Sequence, residues 1–251
     1  MRVVRSIADL PAGTAVVGLV PTMGALHAGH EALIAAARAE CETVVVSVFV
    51  NPTQFDDAAD LAAYPRNEER DWEVAAAAGA DIAFAPSAAE IYPPGYQTWV
   101  EVEELARVLE GEHRPGHFRG VATVCLKLFN IVRPRFAYFG QKDAQQVAVI
   151  RRMVADLNLD LTVRSIATVR DPDGLALSSR NARLSARERT LALALPRALA
   201  TRDREAARAL LEGLDVDYVE IADFDPPVLA AAVRVGSTRL IDNVVLDKEK
   251  R

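Results

Sequence analysis

What this 251-residue chain has little of narrows its possibilities first. It carries only two cysteines, Cys41 and Cys125, too few for a disulfide framework and without an adjacent histidine or basic residue to favour a thiolate. Both read as structural, in a reduced compartment. No apolar run approaches the roughly 18 residues of a membrane span, and Met1 to Ser6 lacks the apolar stretch of a secretory leader. The expectation is a cytoplasmic protein without a membrane partner. Basic residues are outnumbered 29 to 35, leaving a net charge of −6 and no basic stripe, so a nucleic-acid partner would lack its electrostatic footprint. Internal repeats and low-complexity tracts are absent too, although alanine is abundant. What remains, 51% hydrophobic and 25% charged, is ordinary globular composition, long enough for a sizeable core in one or two domains.

The chemistry centres on Pro21-Thr22-Met23-Gly24-Ala25-Leu26-His27-Ala28-Gly29-His30. Val16, Val17, Leu19 and Val20 precede it as an apolar run, and Leu33, Ile34 and Ala37 follow at helical spacing. The stretch therefore predicts a strand ended by Pro21, a tight glycine turn, and a helix beginning near the two histidines. Unpaired N–H groups and the positive dipole end make such a helix start a phosphate site. Two imidazoles three residues apart can share one side of the first turn, where each can donate to a phosphate oxygen or, once protonated, offset charge on a leaving group. Metal binding is not expected, because no Cys, Asp or Glu stands at ligand spacing beside the pair.

Taken in order, Arg2 to Ala12 predicts a short strand and a helix. Thr43 to Val50 is a β-branched run with almost no alternation, as in a parallel sheet covered on both faces. Asn51-Pro52-Thr53-Gln54-Phe55 then forms a polar loop at a strand's carboxyl end, where ligands sit in open α/β folds; Gln54 offers an amide donor and a carbonyl acceptor to a hydroxy acid. A mobile connection over 56–66, a helix over 67–79 and a strand over 81–86 follow. Ile91 to Tyr96 reads as a rigid surface loop. The 111–120 stretch reads as a shaped loop in which Arg114 suits a two-point grip on carboxylate or phosphate, with His117 nearby. Val121 to Ile131 is a buried helix stopped by Pro134.

Phe136 to Gly140 repeats the strand–glycine–charge–helix pattern, with Gln141, Lys142 and Asp143 at its tip. Lys142 can reach phosphate, Asp143 can accept from ribose hydroxyls, and one of Gln145 and Gln146 can face the pocket of Gln54. Leu161 to Val169 predicts another strand, and 170–174 a turn. Leu177, Ser178, Ser179 and Arg180 make a reasonable clamp for phosphates, since Ser185 and Glu188 already supply the capping box of the next helix. Strand-like segments at 216–221 and 238–243 close the chain. These alternations predict an α/β fold: a Rossmann-like parallel sheet with helices on both faces over 1–168, then a smaller α+β domain over 169–251.

Together, PTMGALHAGH, NPTQF, YPR, RPGHF, FGQKDAQQ, DGLALSSRN and TRLIDN resemble the motifs of the pantothenate synthetase (pantoate–β-alanine ligase) family, part of the H-x-G-H nucleotidyl-transferring α/β superfamily. That resemblance implies ATP-dependent condensation of (R)-pantoate with β-alanine through a pantoyl-adenylate, with Mg²⁺ accompanying ATP and a homodimeric assembly. It implies His30 as proton donor, with His27 and Lys142 as further catalytic groups. ATP would be bound by Met23, Gly24, Ala25, Leu26, His27, Ala28, Gly29, His30, Gly140, Gln141, Lys142, Asp143, Val169, Leu177, Ser178, Ser179 and Arg180. Pantoate would be bound by Gln54, Gln146 and Arg114, and β-alanine by Gln54. Two departures stand out: Gln141 replaces the family's usual Glu, and the region after Asn181 is short. Two other readings of the residues remain open, a nucleotidyltransferase that joins AMP to a phosphate ester and a non-catalytic nucleotide-binding module.

Overall fold

The computed structural model describes residues 1–11, 16–56 and 58–247. Six strands, β1 (Arg2–Val4), β2 (Val17–Thr22), β3 (Thr43–Val48), β4 (Ile82–Phe84), β5 (Phe136–Gly140) and β6 (Thr162–Ile166), form one parallel sheet in the order β1-β4-β3-β2-β5-β6. Helices cover both faces, as the unalternating Val44-Val45-Val46 run requires. Leu19, Val45, Phe84 and Phe139 face one core cluster, and Val20, Val44, Val46 and Tyr138 face the other. The strand order reverses direction between β2 and β5, and a crevice opens at the carboxyl ends beside such a switch point.

The remaining strands, β7 (Asp215–Ala222), β8 (Val228–Val235) and β9 (Thr238–Val245), make a separate antiparallel sheet. Leu229, Ala231 and Val233 of β8 pack with the helical residues Leu195 and Leu199 and with Leu211 at the end of the Arg204–Leu210 helix. Ala230 and Ala232 instead face Ala144 and Tyr218, at the junction with the larger sheet. Glu110 braces that junction: it is buried, accepts from the Tyr218 hydroxyl at 2.8 Å, and receives both terminal nitrogens of Arg239 at 2.6 and 2.7 Å. Burial alone would raise its pKa, but Arg239 and Tyr218 hold the carboxyl below its ordinary value. No helix among the described residues is long and apolar enough to cross a membrane.

Several local expectations change. β2 runs through Pro21 to Thr22 rather than ending at the proline. Its pairing with β5 ceases after Leu19 while pairing with β3 continues to Thr22, so Pro21 sits where one side of the strand has no neighbour. The 111–120 stretch is not a loop throughout: a one-turn helix covers Glu110–His113, and the next helix starts at His117 and runs to Val132. Ile91 is completely buried rather than on a surface loop. β6 ends at Ile166, short of the predicted Val169. At the N-terminus a 3₁₀ turn over Ile7–Asp9 replaces the longer helix, the last part of whose predicted range, residue 12, lies outside the described residues. β8 has no counterpart in the sequence reading.

Candidate active site

The first wall of the crevice is the turn after β2. Thr22 Oγ1 donates to the Ser47 carbonyl at 2.7 Å and accepts from Gly24 N–H at 3.2 Å. Asp71, on the Glu68–Ala77 helix and only 3% exposed, accepts from Ala25 N–H at 3.0 Å and Leu26 N–H at 2.7 Å. Gly24 has φ +80°, and a Cβ there would lie 2.8 Å from Asp71 Oδ2, so both the left-handed backbone and the close carboxylate require glycine. Burial pushes the Asp71 carboxyl up, and the two amides counter this in part. Asp71 carried no motif of its own; only its burial facing the turn reveals it.

His27 is the N-cap of the Ala28–Glu40 helix. Its Nδ1 accepts from Gly29 N–H at 3.1 Å, and His30 Nδ1 accepts from His27 N–H at 3.2 Å. With Nδ1 accepting, a neutral ring carries its proton on Nε2, so both rings become donors. The ring centroids are 4.2 Å apart. Burial, then His27 and Lys142, push His30 down to about 3; burial and then Lys142 lower His27. These shifts favour neutral rings that donate through Nε2–H at neutral pH. Capping and ligand donation are compatible roles here, since the cap fixes the tautomer.

The second wall follows β3. Pro52–Gln54 is a single 3₁₀ turn capped by Asn51, which is 1% exposed. Asn51 Nδ2 donates to Gln54 Oε1 at 3.1 Å and to the Gly120 carbonyl at 3.2 Å, while its Oδ1 accepts from Thr53 and the Tyr92 hydroxyl. Gln54 Oε1 is therefore engaged, and its Nε2 lies 2.9 Å from Met23 Sδ. Each end of the amide thus has one protein partner, and one N–H and one lone pair remain for a ligand. Arg114 Nη2 and His117 Nδ1 both donate to the Gln54 carbonyl, at 3.2 and 2.8 Å. Arg114 Nη1 faces His117 Nε2 at 3.3 Å. Part of the guanidinium fork expected to grip a carboxylate thus holds the Gln54 backbone. Burial, then Arg114, pushes His117 down to about 4. The approach is close: a Cβ on Gly120 would lie 2.4 Å from the Thr53 carbonyl oxygen.

The third wall comes from β5 and the 169–180 segment. The 3₁₀ turn Gln141–Asp143 leads into the Ala144–Asp156 helix, with Lys142 Nζ 3.8 Å from Asp143 Oδ1. Of the two glutamines, Gln146 lines the cavity, whereas Gln145 staples the 105–110 segment through Leu105, Val108 and Glu110. Gln141 accepts from Ser165 Oγ at 2.6 Å, a bond a glutamate would also accept, so the departure from Glu lies away from the cavity. Leu177 N–H donates to the Val169 carbonyl at 3.0 Å. Ser178 caps the short turn Ser179–Arg183, so it is not free of capping as expected, and the capping box at Ser185 and Glu188 is present as well. Arg180 and Arg183 both meet Asp60, at 3.0 and 3.1 Å. Burial works against ionisation of Asp60, yet the two guanidiniums hold its carboxyl below the ordinary value.

These walls enclose a cavity of about 240 Å³ that brings together Met23, His27, Gly29, His30, Gln54, Arg114, Gly140, Lys142, Asp143, Gln146, Val169, Leu177, Ser178, Ser179 and Arg180. Leu33, Phe49, Val124, Leu128 and Phe139 give it an apolar lining. Cys125 also lines it, with burial pushing its thiol up to about 12, which leaves it unreactive. Gly24, Ala25, Leu26, Ala28 and Gln141 do not line it; the amides of Gly24, Ala25 and Leu26 are taken by Thr22 and Asp71. A second cavity of about 460 Å³ continues from the first past Lys142, Ser178 and Arg180 towards Arg183 and Arg239. The space can thus hold a polyanion along one side and a small acid with an apolar body on the other.

Comparison with known proteins bears on this arrangement. The family model described as pantoate-beta-alanine ligase matches residues 2–245. The chain is 48% identical to the pantothenate synthetase of Geobacter sulfurreducens, with all of both chains covered. It is 50% identical to that of Heliobacterium modesticaldum, covering 98% of this chain and 100% of the relative. Among solved structures, pantothenate synthetase from Thermus thermophilus superposes with a TM-score of 0.92 at 43% identity, covering 98% of this chain and 99% of that one. The pantoate-beta-alanine ligase from Francisella tularensis, complexed with beta-gamma ATP and beta-alanine, gives 0.87 at 35% identity, covering 98% and 97%.

Proposed function

The chain belongs to the pantoate–β-alanine ligase family, and from that premise we propose that its crevice makes pantothenate from pantoate, β-alanine and ATP in two steps through a pantoyl-adenylate. The observation that carries this is the convergence of Gln54, Gln146, His30, Lys142 and Ser179 on one cavity at the switch between β2 and β5.

A carboxylate is a poor acyl donor until its oxygen becomes part of a good leaving group. In the first step a pantoate carboxylate oxygen attacks the α-phosphorus of ATP, the bond to the bridging oxygen breaks, and diphosphate leaves. Gln54 Nε2 and the Gln146 amide hold the acid, whose methyl groups lie against Leu33, Val124 and Leu128. Positioning and charge stabilisation supply the catalysis. Neutral His27 and His30 donate Nε2–H bonds to phosphate oxygens, and Lys142 and Arg180 meet the charge on diphosphate. His30 enters the step as a hydrogen-bond donor through Nε2–H. In the second step the β-alanine amine attacks the acyl carbon, AMP departs, and the nitrogen loses its proton. Enclosure of the anhydride limits attack by water.

Mg²⁺ enters this reading as the ion of the nucleotide. The described residues contain no group of three His, Cys, Asp or Glu able to cage a metal, so phosphate oxygens and water would be its main ligands, with the Asp143 carboxylate beside Lys142 available to it. Bound there, it would neutralise phosphate charge. A cytoplasmic homodimer completes the reading on family grounds, and light scattering of the purified protein checks the dimer.

ATP–diphosphate exchange tests the central step. Exchange with pantoate alone, and AMP release only when β-alanine is added, is the expected pair of results. Exchange that requires β-alanine would exclude a free-standing adenylation.

A further inference from the structure

A side chain of the smaller sheet is hydrogen-bonded to the backbone of the Lys142 turn. Asn243, paired with Ala230 across β8 and β9, is 5% exposed. Its Nδ2 donates to the carbonyls of Gln141 and Lys142, at 2.9 Å each. Those two carbonyls belong to the single 3₁₀ turn that delivers Lys142 to the cavity wall. The adjacent Asp242 accepts from Asn243 N–H at 2.8 Å and takes Arg170 in a two-point ion pair at 2.6 and 3.1 Å. Arg170 in turn bridges Ala176, one residue before the Leu177–Ser178 segment of the same cavity. Neighbouring residues of β9 therefore anchor both segments of the phosphate side.

The Asn243 amide is also asymmetric. Its Oδ1 is buried with no hydrogen-bond partner among the described residues, an arrangement that costs free energy. Only the donor end is used, and its Nδ2 meets two consecutive carbonyls. A packing role alone needs no such pair of bonds, whereas a turn whose orientation matters is fixed by them.

We infer that Asn243 is a positioning residue for Lys142: it sets the direction in which the turn presents the ammonium to the departing diphosphate, without touching substrate itself. The inference rests on the role of Lys142 proposed above. Asn243→Asp keeps the size but sets carboxylate oxygen against two carbonyl oxygens, so the turn is pushed away; Asn243→Ser leaves a single, shorter donor.

The test is a double-mutant cycle on the adenylation half-reaction, measured by rapid quench with pantoate and ATP and with folding checked by thermal melting. Asn243→Asp is expected to slow adenylation about ten- to a hundredfold, the scale of a small misplacement of a reacting group, with the KM for pantoate unchanged. Asn243→Ser should fall between it and the native protein, and serves as the readout if the Asp variant does not fold. In a Lys142→Ala background the same change should alter the rate by less than about twofold. Equal losses in both backgrounds would reduce Asn243 to general support and overturn the inference. A crippled Lys142→Ala beside an unimpaired Asn243→Asp would overturn the inference alone, and near-normal turnover in Lys142→Ala would overturn both it and the role given to Lys142.

Discussion

Two clusters of side chains at the crevice are held by different kinds of interaction. On the parallel-sheet side, the turn after β2 and the Asn51–Gln54 turn are fixed by groups that water barely reaches: Asp71 is 3% exposed, Asn51 is 1% exposed, and both histidine rings take backbone amides on Nδ1. On the opposite side, Arg180 and Arg183 are held by a single carboxylate, Asp60, and the three side chains keep between 23% and 36% of their surface exposed. Breaking a hydrogen bond to a buried charged group costs about 1.5–3 kcal/mol, whereas a partly exposed ion pair contributes about 0–1 kcal/mol. The first side is therefore shaped before substrate arrives. On the other side Asn243 and Asp242 hold the backbone turns from buried positions, and exchange is confined to the Arg180–Asp60 pair, which under the proposed function phosphate oxygens would open at little cost.

That contrast ranks the expected effects of substitution. The largest belongs to Asp71→Ala, which leaves the Ala25 and Leu26 amides without their acceptor. It should lower unfolding free energy by about 2–4 kcal/mol and adenylation by more than about a hundredfold, as urea melts and exchange assays will measure. Unchanged stability would show that the turn does not depend on the buried carboxylate. Next, His30→Ala or Lys142→Ala should each cut adenylation at least about a hundredfold, as loss of one transition-state donor does, while the melting temperature stays close to the native value. Near-normal turnover would remove the residue from the chemistry.

Gln54→Ala should weaken pantoate by about tenfold, a loss near 1.4 kcal/mol, and leave ATP little changed. Equal effects on the two would place Gln54 outside the acid-binding side. Smaller still is Asp60→Asn on the exchangeable side. Removing the carboxylate that competes for Arg180 should tighten ATP about two- to fivefold, within the scale of a partly exposed pair; weaker ATP binding would mean that Asp60 supports Arg180 and does not compete with phosphate.

A pH effect follows from the same contrast. His30 and His117 have folded-state values pushed down to about 3 and about 4, from an ordinary 6.5. Between those values the unfolded chain binds more protons, so stability rises with pH there. Their contribution is intact above about 6.5 and is lost as pH falls towards 4 and then 3. His117→Gln should flatten the upper part of that acid-side slope in melting experiments, and an unchanged slope would place the proton uptake elsewhere.

Much of this was legible in the sequence because it was local. The β2 turn and the helix after it, the Lys142 turn and the capping box at Ser185 and Glu188 are each written in contiguous residues whose spacing has a direct structural meaning. The residues that hold these segments were not legible. Asp71 lies more than forty positions from the amides it accepts, Asn51 appeared in a motif without its hydrogen-bonding task, and Asp60 sat in a stretch read as a connection. β8 was missed because both its faces are covered, one by helices and one by the start of the Ala144–Asp156 helix, which removes the polar alternation that marks a half-buried strand. Pro21 misled for a related reason: whether a proline ends a strand depends on its neighbours, and sequence does not show that β5 has already diverged there.

The proposed reaction turns on pantoate's carboxylate becoming bonded to the α-phosphorus within the crevice. Turnover of pantoate carrying ¹⁸O in its carboxylate, with the products read by phosphorus NMR or mass spectrometry, measures this directly. One labelled oxygen in AMP and none in diphosphate is the predicted result; unlabelled AMP, or label in diphosphate, would contradict it.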